Sequence, residues 1–280
     1  MNSSNSVQEK FSLLDKVAII TGGAGLLGAK HAEAIAEYGG IPILIDINRE
    51  NGQSVSNSIK KSFKVDSIFF QADITNETDI EDILDKVLNR YGKIDILINN
   101  AANDPKIKSN SSNEPFSRLE NFPIKMWESD LDVGLKGSFI CSKIFGSKMA
   151  SQKHGVILNI ASDLGIIAPD QRIYEKSNIK KHRQVVKPIT YSVVKHGILG
   201  LTKYLSTYWS DLGVRSNALL PGGVYQGQDD DFVEKLTNLI PLGRMANEDD
   251  YKAAIVFLVS DASSYMTGSS LIIDGGRTAW

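Results

Sequence analysis

The sequence predicts an α/β protein with a doubly wound parallel sheet. Short, almost wholly apolar segments recur along the 280-residue chain, and segments with helical spacing of apolar residues lie between them. Apolar runs of this length are typical of strands buried on both faces of a parallel sheet. Their alternation with helices indicates right-handed crossover connections, which place helices on both faces of the sheet.

The apolar segments show where strands are expected, and the intervening patterns show where helices are expected. Strands are predicted over residues 17–20, 41–45, 67–70, 94–98, 156–160, 215–220 and 270–273. Helices are predicted from about residue 27 to Gly39, and over residues 49–63, 80–90 and 192–209. In the third of these helices Ile80, Ile83 and Val87 share one face, which is the spacing of an amphipathic helix.

The chain is expected to form one domain. Residues 1–14 are polar, and we expect a disordered N-terminal tail there, followed by a single domain over residues 15–280. Polar insertions near residues 103–123 and 169–188 interrupt the strand–helix rhythm. Both insertions follow the C-terminal ends of predicted strands, where open α/β sheets bind ligands, and long loops of this kind are usually functional or disordered.

The composition excludes several classes of protein. A net charge of -2 argues against nucleic-acid binding by electrostatics, and no apolar run reaches the length of a membrane span. The single cysteine, Cys141, excludes an internal disulfide framework, and the histidines lack the spacing of a metal site. Because the N-terminus also lacks the apolar core of a signal peptide, we expect a soluble cytoplasmic protein. From the histidine spacing we expect no bound metal.

A glycine-rich turn predicts a dinucleotide site. Gly23, Gly25 and Gly28 fit the pattern G-x-G-x-x-G between a predicted strand and a predicted helix. Such glycines let a pyrophosphate approach backbone N–H groups at a helix N-terminus. Asp46 ends the next strand, where a carboxylate accepts hydrogen bonds from a ribose diol and repels a 2′-phosphate. We therefore expect NAD as cofactor in preference to NADP; the alternative is a glycine-rich turn that binds nothing.

A tyrosine and a lysine predict proton-transfer chemistry. Tyr191 and Lys195 lie four residues apart, so a helix places them on one face, one turn apart. An adjacent ammonium favours the phenolate and lowers a tyrosine pKa from about 10 towards working pH. Such a tyrosine can act as a general acid–base. The alternative is an aromatic ring packed under the apolar stem of a lysine.

Further short motifs accompany the glycine turn and the tyrosine–lysine pair in a fixed order along the chain. The set comprises Thr21-Gly22 with the glycine turn, Asp73, Asn99-Asn100-Ala101-Ala102, Ser162, Tyr191 and Lys195, Pro221-Gly222-Gly223-Val224, and Asp274-Gly275-Gly276. As a group it resembles the short-chain dehydrogenase/reductase family, single-domain branch. The resemblance implies a Rossmann-type fold with a roughly seven-stranded parallel sheet and an NAD(P)-dependent interconversion of an alcohol and a ketone.

The resemblance also implies roles for individual residues. Tyr191 would be the general acid–base, Lys195 would support it and hold the nicotinamide ribose, and Ser162 would hydrogen-bond the substrate oxygen. The residues expected to bind the cofactor are Thr21, Gly22, Gly23, Gly25, Leu26, Leu27, Gly28, Asp46, Ile47, Asp73, Ile74, Asn99, Asn100, Ala101, Tyr191, Lys195, Pro221, Gly222 and Val224.

The chain departs from the family pattern at several positions. Leu26 stands where the single-domain branch usually has a glycine, and the glycine spacing fits the extended branch of sugar epimerases and dehydratases. Gly134 stands where the family often has an asparagine that holds a water in a proton relay behind the lysine. Ala102 stands where the family motif Asn-Asn-Ala-Gly has its glycine, and the segment after Val224 begins with Tyr225 and lacks the family's usual threonine. An epimerase or dehydratase that recycles bound NAD, and a non-catalytic Rossmann binding protein, therefore remain alternatives.

The second insertion suggests a substrate class. Its basic residues are Lys176, Lys180, Lys181, Arg183 and Lys187. They form either a solvated loop or a lid whose cations bind a phosphate or carboxylate. The second interpretation predicts an anionic sugar, phosphorylated or nucleotide-linked. The chain also resembles oxidoreductases of bacterial surface-glycan and flagellin-modification pathways, through its insertions, the run Asn159-Ile160-Ala161-Ser162, the run Val193-Val194-Lys195-His196 and the ending at 274–280.

The predicted helix over residues 192–209 is apolar on more than one face. Such a helix is usually buried on several sides, and in a doubly wound sheet only one face meets the sheet. We therefore expect a homodimer or homotetramer that covers the other face.

Overall fold

The protein is described by a computed structural model over residues 6–103 and 115–280. One parallel sheet contains the strands in the order β3-β2-β1-β4-β5-β6-β7, which confirms the predicted doubly wound fold. The strands are β1 (Val17–Thr21), β2 (Ile41–Asp46), β3 (Ile68–Gln71), β4 (Ile96–Asn99), β5 (Gly155–Ile160), β6 (Val214–Pro221) and β7 (Ser270–Ile273). The order changes direction between β1 and β4, and a ligand crevice is expected at such a switch point.

Helices cover both faces of the sheet. They are α1 (Val7–Lys10), α2 (Leu26–Glu37), α3 (Arg49–Phe63), α4 (Glu77–Tyr91), α5 (Ile124–Leu131), α6 (Ser138–Gln152), α7 (Ile189–Tyr208), α8 (Asp230–Thr237) and α9 (Lys252–Val259). A π-helical segment, Asp132–Gly137, joins α5 to α6. Short 3₁₀ turns include Asp163–Gly165, Gln171–Tyr174, Lys181–Arg183 and Arg277–Ala279. Among the described residues, no helix combines the length and apolar character that crossing a membrane requires.

The two faces of the sheet carry separate cores. In β1, Ala18 and Ile20 pack in one cluster with α2 and α9, whereas Val17 and Ile19 pack in another with α4 and α6. Every residue of β1 is buried. Burial on both faces explains why the central strands are continuous apolar runs rather than alternating ones.

The N-terminal segment differs from the prediction of a tail over residues 1–14. Val7–Lys10 form α1, and Leu13 is buried in the core cluster that contains α2. The Leu13 N–H also donates to the Tyr38 carbonyl at 3.0 Å. Apolar contact therefore starts before residue 15, while residues 1–5 lie outside the described part of the chain.

Side-chain amides hold the insertion at 169–188 together by hydrogen bonds within it. Gln184 is buried; its Nε2 donates to the Lys176 and Ile179 carbonyls, and its Oε1 accepts from the Lys176 N–H at 2.9 Å. The Gln171 Oε1 accepts from the Lys187 N–H at 2.9 Å. Of the insertion predicted at 103–123, residues 104–114 lie outside the described residues.

Candidate active site

A cleft of about 980 Å³ opens at the carboxyl ends of the strands. Its volume lies at the upper end of the range for small-molecule and cofactor sites, about 300–1,000 Å³. The predicted site residues that line it are Gly22, Gly25, Leu26, Leu27, Gly28, Asp46, Ile47, Asp73, Ile74, Asn100, Ala101, Ser162, Tyr191, Lys195, Pro221, Gly222 and Val224. The fold thus brings residues from both halves of the chain to one crevice.

The glycine turn between β1 and α2 forms one end of the cleft. Gly22 has a φ of +63°, and a Cβ added to Gly28 would lie 2.1 Å from the Gly22 carbonyl oxygen, so both positions require glycine. Gly25 is the N-cap of α2, and its N–H donates to the Gly22 carbonyl at 3.1 Å. Leu26 is simply the first residue of the helix. The first free N–H groups of α2 therefore face the site, as a phosphate requires.

Asp46 fixes a negative charge at the end of β2. Its Oδ2 accepts from the Ala24 N–H at 3.0 Å, and its Oδ1 accepts from the Asn48 N–H at 2.9 Å. These bonds connect the carboxylate to the glycine turn and hold it at the cleft wall. The next residue, Ile47, is 71% exposed and supplies no cation.

Thr21, Gly23 and Asn99, predicted to bind cofactor, do not line the cleft. The Thr21 Oγ1 accepts from the Asn100 N–H at 3.0 Å, so it shapes the wall from behind. Asn99 is buried, and its Nδ2 donates to the Asn159 Oδ1 at 2.8 Å. Gly23 packs against β2. The motif residues that point into the sheet therefore support the wall, while their neighbours form its surface.

The three predicted catalytic residues lie together in the cleft. Ser162 follows β5, and α7 carries Tyr191 and Lys195 one turn apart. Lys195 is only 6% exposed, and its Nζ donates to the Ile160 carbonyl at 2.9 Å. The same Nζ lies 5.8 Å from the centroid of the Tyr191 ring. This arrangement suits proton transfer at a substrate oxygen next to the serine.

A second lysine lies closer to the tyrosine ring than the sequence indicated. The Lys187 Nζ lies 3.8 Å from the centroid of the Tyr191 ring, which is cation–π geometry. Lys187 belongs to the insertion and was predicted only as a substrate-binding cation. Two ammonium groups therefore lie beside the Tyr191 side chain.

Sequence reasoning missed a buried ion pair beside the serine. Asp163 and Arg277 both line the cleft, and the Arg277 Nη1 donates to the Asp163 Oδ2 at 2.8 Å. Their side chains are only 3% and 7% exposed. The Ser162 hydroxyl donates to the Asp163 Oδ1 at 2.7 Å. Both residues directly follow motifs that the sequence did identify, but nothing in the sequence indicated that they meet.

The basic insertion contributes fewer cations to the cleft than the lid hypothesis requires. Lys180, Lys181 and Arg183 are exposed and do not line it, whereas Lys176 and Lys187 do. The Lys176 Nζ lies 2.5 Å from an Asp229 oxygen and 3.3 Å from an Asp231 oxygen. These contacts raise the pKa of the Lys176 ammonium and lower that of the Asp229 carboxyl. The acidic partners offset the Lys176 charge.

Metal and thiol chemistry have no support in the described residues. They include no group of three or more His, Cys, Asp or Glu side chains that could hold a metal ion. Burial raises the pKa of the Cys141 thiol to about 12, which removes its nucleophilic form at neutral pH. Burial also lowers the pKa of His31 to about 3, against an opposing influence of the Asn100 side chain. Both groups are therefore neutral residues of the interior.

Comparisons with known proteins agree with this geometry. Residues 23–278 match the family model described as enoyl-(acyl carrier protein) reductase. An NAD-dependent glycerol dehydrogenase of Listeria innocua is 32% identical over 96% of this chain and 96% of its own length. A D-threitol dehydrogenase of Mycolicibacterium smegmatis is 31% identical over 98% and 96%.

A solved structure shows the same fold with a cofactor. The gluconate 5-dehydrogenase from Burkholderia cenocepacia, in complex with NADP and tartrate, has a TM-score of 0.82 and 26% identity and covers 98% of this chain and 100% of its own. The predicted likeness to flagellin-modification proteins is weaker. The post-translational flagellin modification protein A of Campylobacter coli is 26% identical over 94% of this chain and 98% of its own length. With the cleft, its motifs and these relatives together, the chain belongs to the short-chain dehydrogenase/reductase family of NAD(P)-dependent oxidoreductases.

Proposed function

We propose that this protein interconverts a secondary alcohol and a ketone on a polyol or sugar, with NAD as the hydride carrier. The observation that carries the proposal is that Ser162, Tyr191 and Lys195 share one cleft with the glycine turn. The similarity to glycerol and threitol dehydrogenases supports a polyhydroxylated substrate.

The site residues divide the chemistry between them. When bound, the nicotinamide accepts or supplies the hydride. In alcohol oxidation the Tyr191 phenolate takes the hydroxyl proton of the substrate, while Lys187 and Lys195 stabilise the phenolate. Ser162 hydrogen-bonds the same substrate oxygen. Since the substrate hydroxyl gives its one proton to Tyr191, Ser162 must donate to that oxygen, and its hydroxyl would turn to the substrate from the Asp163 Oδ1 to which it donates here.

The proposed preference for NAD rests on Asp46. Its carboxylate is held at the cleft wall by two backbone N–H groups. A ribose diol would donate hydrogen bonds to it, whereas a 2′-phosphate would meet a like charge. The NAD-dependent glycerol dehydrogenase and the NADP-bound gluconate 5-dehydrogenase are both relatives of this chain, so family membership alone does not select the cofactor.

Lys187 is the residue of the insertion that would bind an anionic group on the substrate. This lysine lines the cleft, whereas Lys180 is exposed outside it. A phosphate or carboxylate on the sugar would form a charge-assisted bond with the Lys187 ammonium. The exposed lysines of the insertion would contribute only screened, long-range attraction.

Turnover with paired substrates tests both the function and the charge. We expect NADH formation from neutral polyols, and a lower KM for sugar phosphates if the anionic group is recognised. Lys187→Gln should then raise KM for the phosphates by about 10- to 100-fold, since charged hydrogen bonds contribute about 1.5–3 kcal/mol. Lys180→Gln is the control and should leave KM unchanged. Equal KM changes for neutral and phosphorylated substrates would reject phosphate recognition. Tightly retained NAD with no net NADH would instead favour the epimerase or dehydratase alternative.

We propose that the protein assembles through α7. Tyr204 and Tyr208 on this helix are 62% and 58% exposed and stack on each other with ring centroids 5.4 Å apart. Large exposed aromatic side chains on a helix that also packs on the sheet are typical of an interface. Light scattering should give a dimer or tetramer mass at micromolar concentration, and Tyr204→Glu together with Tyr208→Glu should shift it towards the monomer. A wild-type monomer would exclude this assembly.

A further inference from the structure

The π-helical segment Asp132–Gly137 has Gly134 at the position where the family often has an asparagine that holds a water behind the lysine. Gly134 lies in the π-helical segment, and a Cβ there would lie only 2.4 Å from the Val194 Cγ1. Real Cβ atoms do not approach a neighbour this closely, so Val194 occupies the space of any side chain at this position. If a group supports a proton relay behind Lys195, it must come from elsewhere.

A small cavity lies where such a group would act. Its volume is about 10 Å³, and its lining includes Asn103, Asp130, Gly134, Thr190, Tyr191 and Lys195. A single ordered water needs about 10–15 Å³ by this measure and two to four polar partners. The cavity therefore has the size and the polar lining for one water next to the catalytic tyrosine and lysine.

Asp130 is the acidic group of this cavity. It is only 6% exposed, and its Oδ2 accepts from the Thr190 Oγ1 at 2.6 Å. Asp130 precedes Gly134 by four residues, one helical turn, and Thr190 directly precedes Tyr191. The hydroxyl fixes one carboxylate oxygen. The geometry leaves the other as the acceptor for a water in the cavity.

Asp130 also contacts a route to the surface. It lines a neighbouring groove with Asn103, Lys125 and Ser129, and the last two are exposed. The charged groups around it are Lys195 and the ionisable Tyr191 from α7, and Lys125 from its own helix. Asp132, on the following turn, is exposed and pairs with Lys136 instead.

We propose that Asp130, acting through a water in this cavity, exchanges the catalytic proton between Lys195 and solvent. This inference rests on the proposed alcohol oxidation, in which Tyr191 gains one proton from the substrate. As that proton moves on to Lys195, the ammonium gives one of its own to the water. The water in turn protonates the Asp130 carboxylate, which releases the proton at the groove. Each transfer breaks one O–H or N–H bond and forms one, and Lys195 and Tyr191 return to their starting charges.

The test compares Asp130, in α5, with Asp132, which begins the π-helical segment that continues this helix. Asp130→Asn keeps an oxygen that can accept from Thr190, but an amide cannot take up and release a proton near neutral pH, so we expect kcat for alcohol oxidation to fall by about 10-fold or more. The solvent deuterium isotope effect on kcat should increase, because proton release becomes slower than hydride transfer. Asp132→Asn is the matched control and should change neither quantity. Asp130→Ala leaves space for a small acid, so added formate should restore part of its kcat.

Two further outcomes keep the inference separate from the proposed function. Equal kcat and equal isotope effects for Asp130→Asn and Asp132→Asn, with no response of Asp130→Ala to formate, would overturn the relay while leaving the oxidoreductase intact. If wild-type protein oxidises no alcohol, the proposed function fails instead. A high-resolution crystal structure then decides the relay: we expect an ordered water bonded to both Asp130 and Lys195, and its absence would contradict the assignment.

Discussion

Replacing Tyr191 by phenylalanine is expected to lower kcat for alcohol oxidation by about 10²–10⁴-fold, which is the usual contribution of a positioned acid–base group. The substitution removes one oxygen and leaves the ring beneath the Lys187 ammonium, 3.8 Å from its centroid. Lys195 keeps its hydrogen bond to the Ile160 carbonyl. Affinity for NADH, measured by fluorescence titration, should therefore stay within about 3-fold of wild type, since much of the proposed cofactor contact lies at the glycine turn.

Tyr174→Phe is the matched control for this loss. Tyr174 also lines the cleft, and its ring packs on Phe232 with centroids 5.4 Å apart. Its hydroxyl is not assigned to proton transfer, so kcat should change far less than for Tyr191→Phe. Turnover by Tyr191→Phe above about one tenth of wild type would mean that another group moves the proton, and would remove the central argument for the mechanism.

The second large effect is expected from the pair Asp46→Ser and Ile47→Arg. Together these changes remove the carboxylate that we propose faces the ribose and add a cation beside it. The ratio of kcat/KM with NAD to that with NADP should fall by about 10²–10³-fold, because a unit charge about 4 Å away contributes up to about 4 kcal/mol near a protein surface. Steady-state kinetics with both cofactors on one polyol measure this ratio directly.

Asp73→Asn is the control for the change of cofactor preference. Asp73 lines the same cleft, but its Oδ1 accepts from the N–H and the hydroxyl of Thr75. Loss of the Asp73 carboxylate should weaken the binding of NAD and NADP to a similar degree and leave the ratio of their kcat/KM values nearly unchanged. If the Asp46→Ser, Ile47→Arg protein still prefers NAD as strongly as wild type, the charge at this position does not select the cofactor.

Much of the fold follows from local sequence patterns. Central strands such as β1 are buried on both faces, so their sequences are unbroken apolar runs that a reader can locate. Boundaries are less predictable. β4 was predicted from residue 94 but begins at Ile96, because the buried Asp95 uses its Oδ2 to accept from the Val17 N–H at 2.9 Å. A side chain that bonds the neighbouring backbone carries no signal in a hydrophobicity pattern.

The candidate site divides in the same way. Gly22, Gly28 and Asp46 could be located because a strand, a turn and a helix in sequence fix their positions. The position of Lys187 beside Tyr191, and that of Asp130 behind Lys195, could not be predicted, since they depend on how an insertion and a separate helix pack against α7. Spacing along the chain reports contacts within one element, and tertiary packing determines the contacts between elements.

The ion pair beside the serine has a consequence for how the protein acquires its activity. Asp163 and Arg277 are separated by 114 positions, and the arginine follows the strand at one edge of the sheet. Contacts between distant positions require the closure of long loops and form late in folding. The glycine turn and Asp46 need only a short stretch of chain. We therefore expect the glycine turn and Asp46 to be in place in a folding chain before the serine is held by its ion pair.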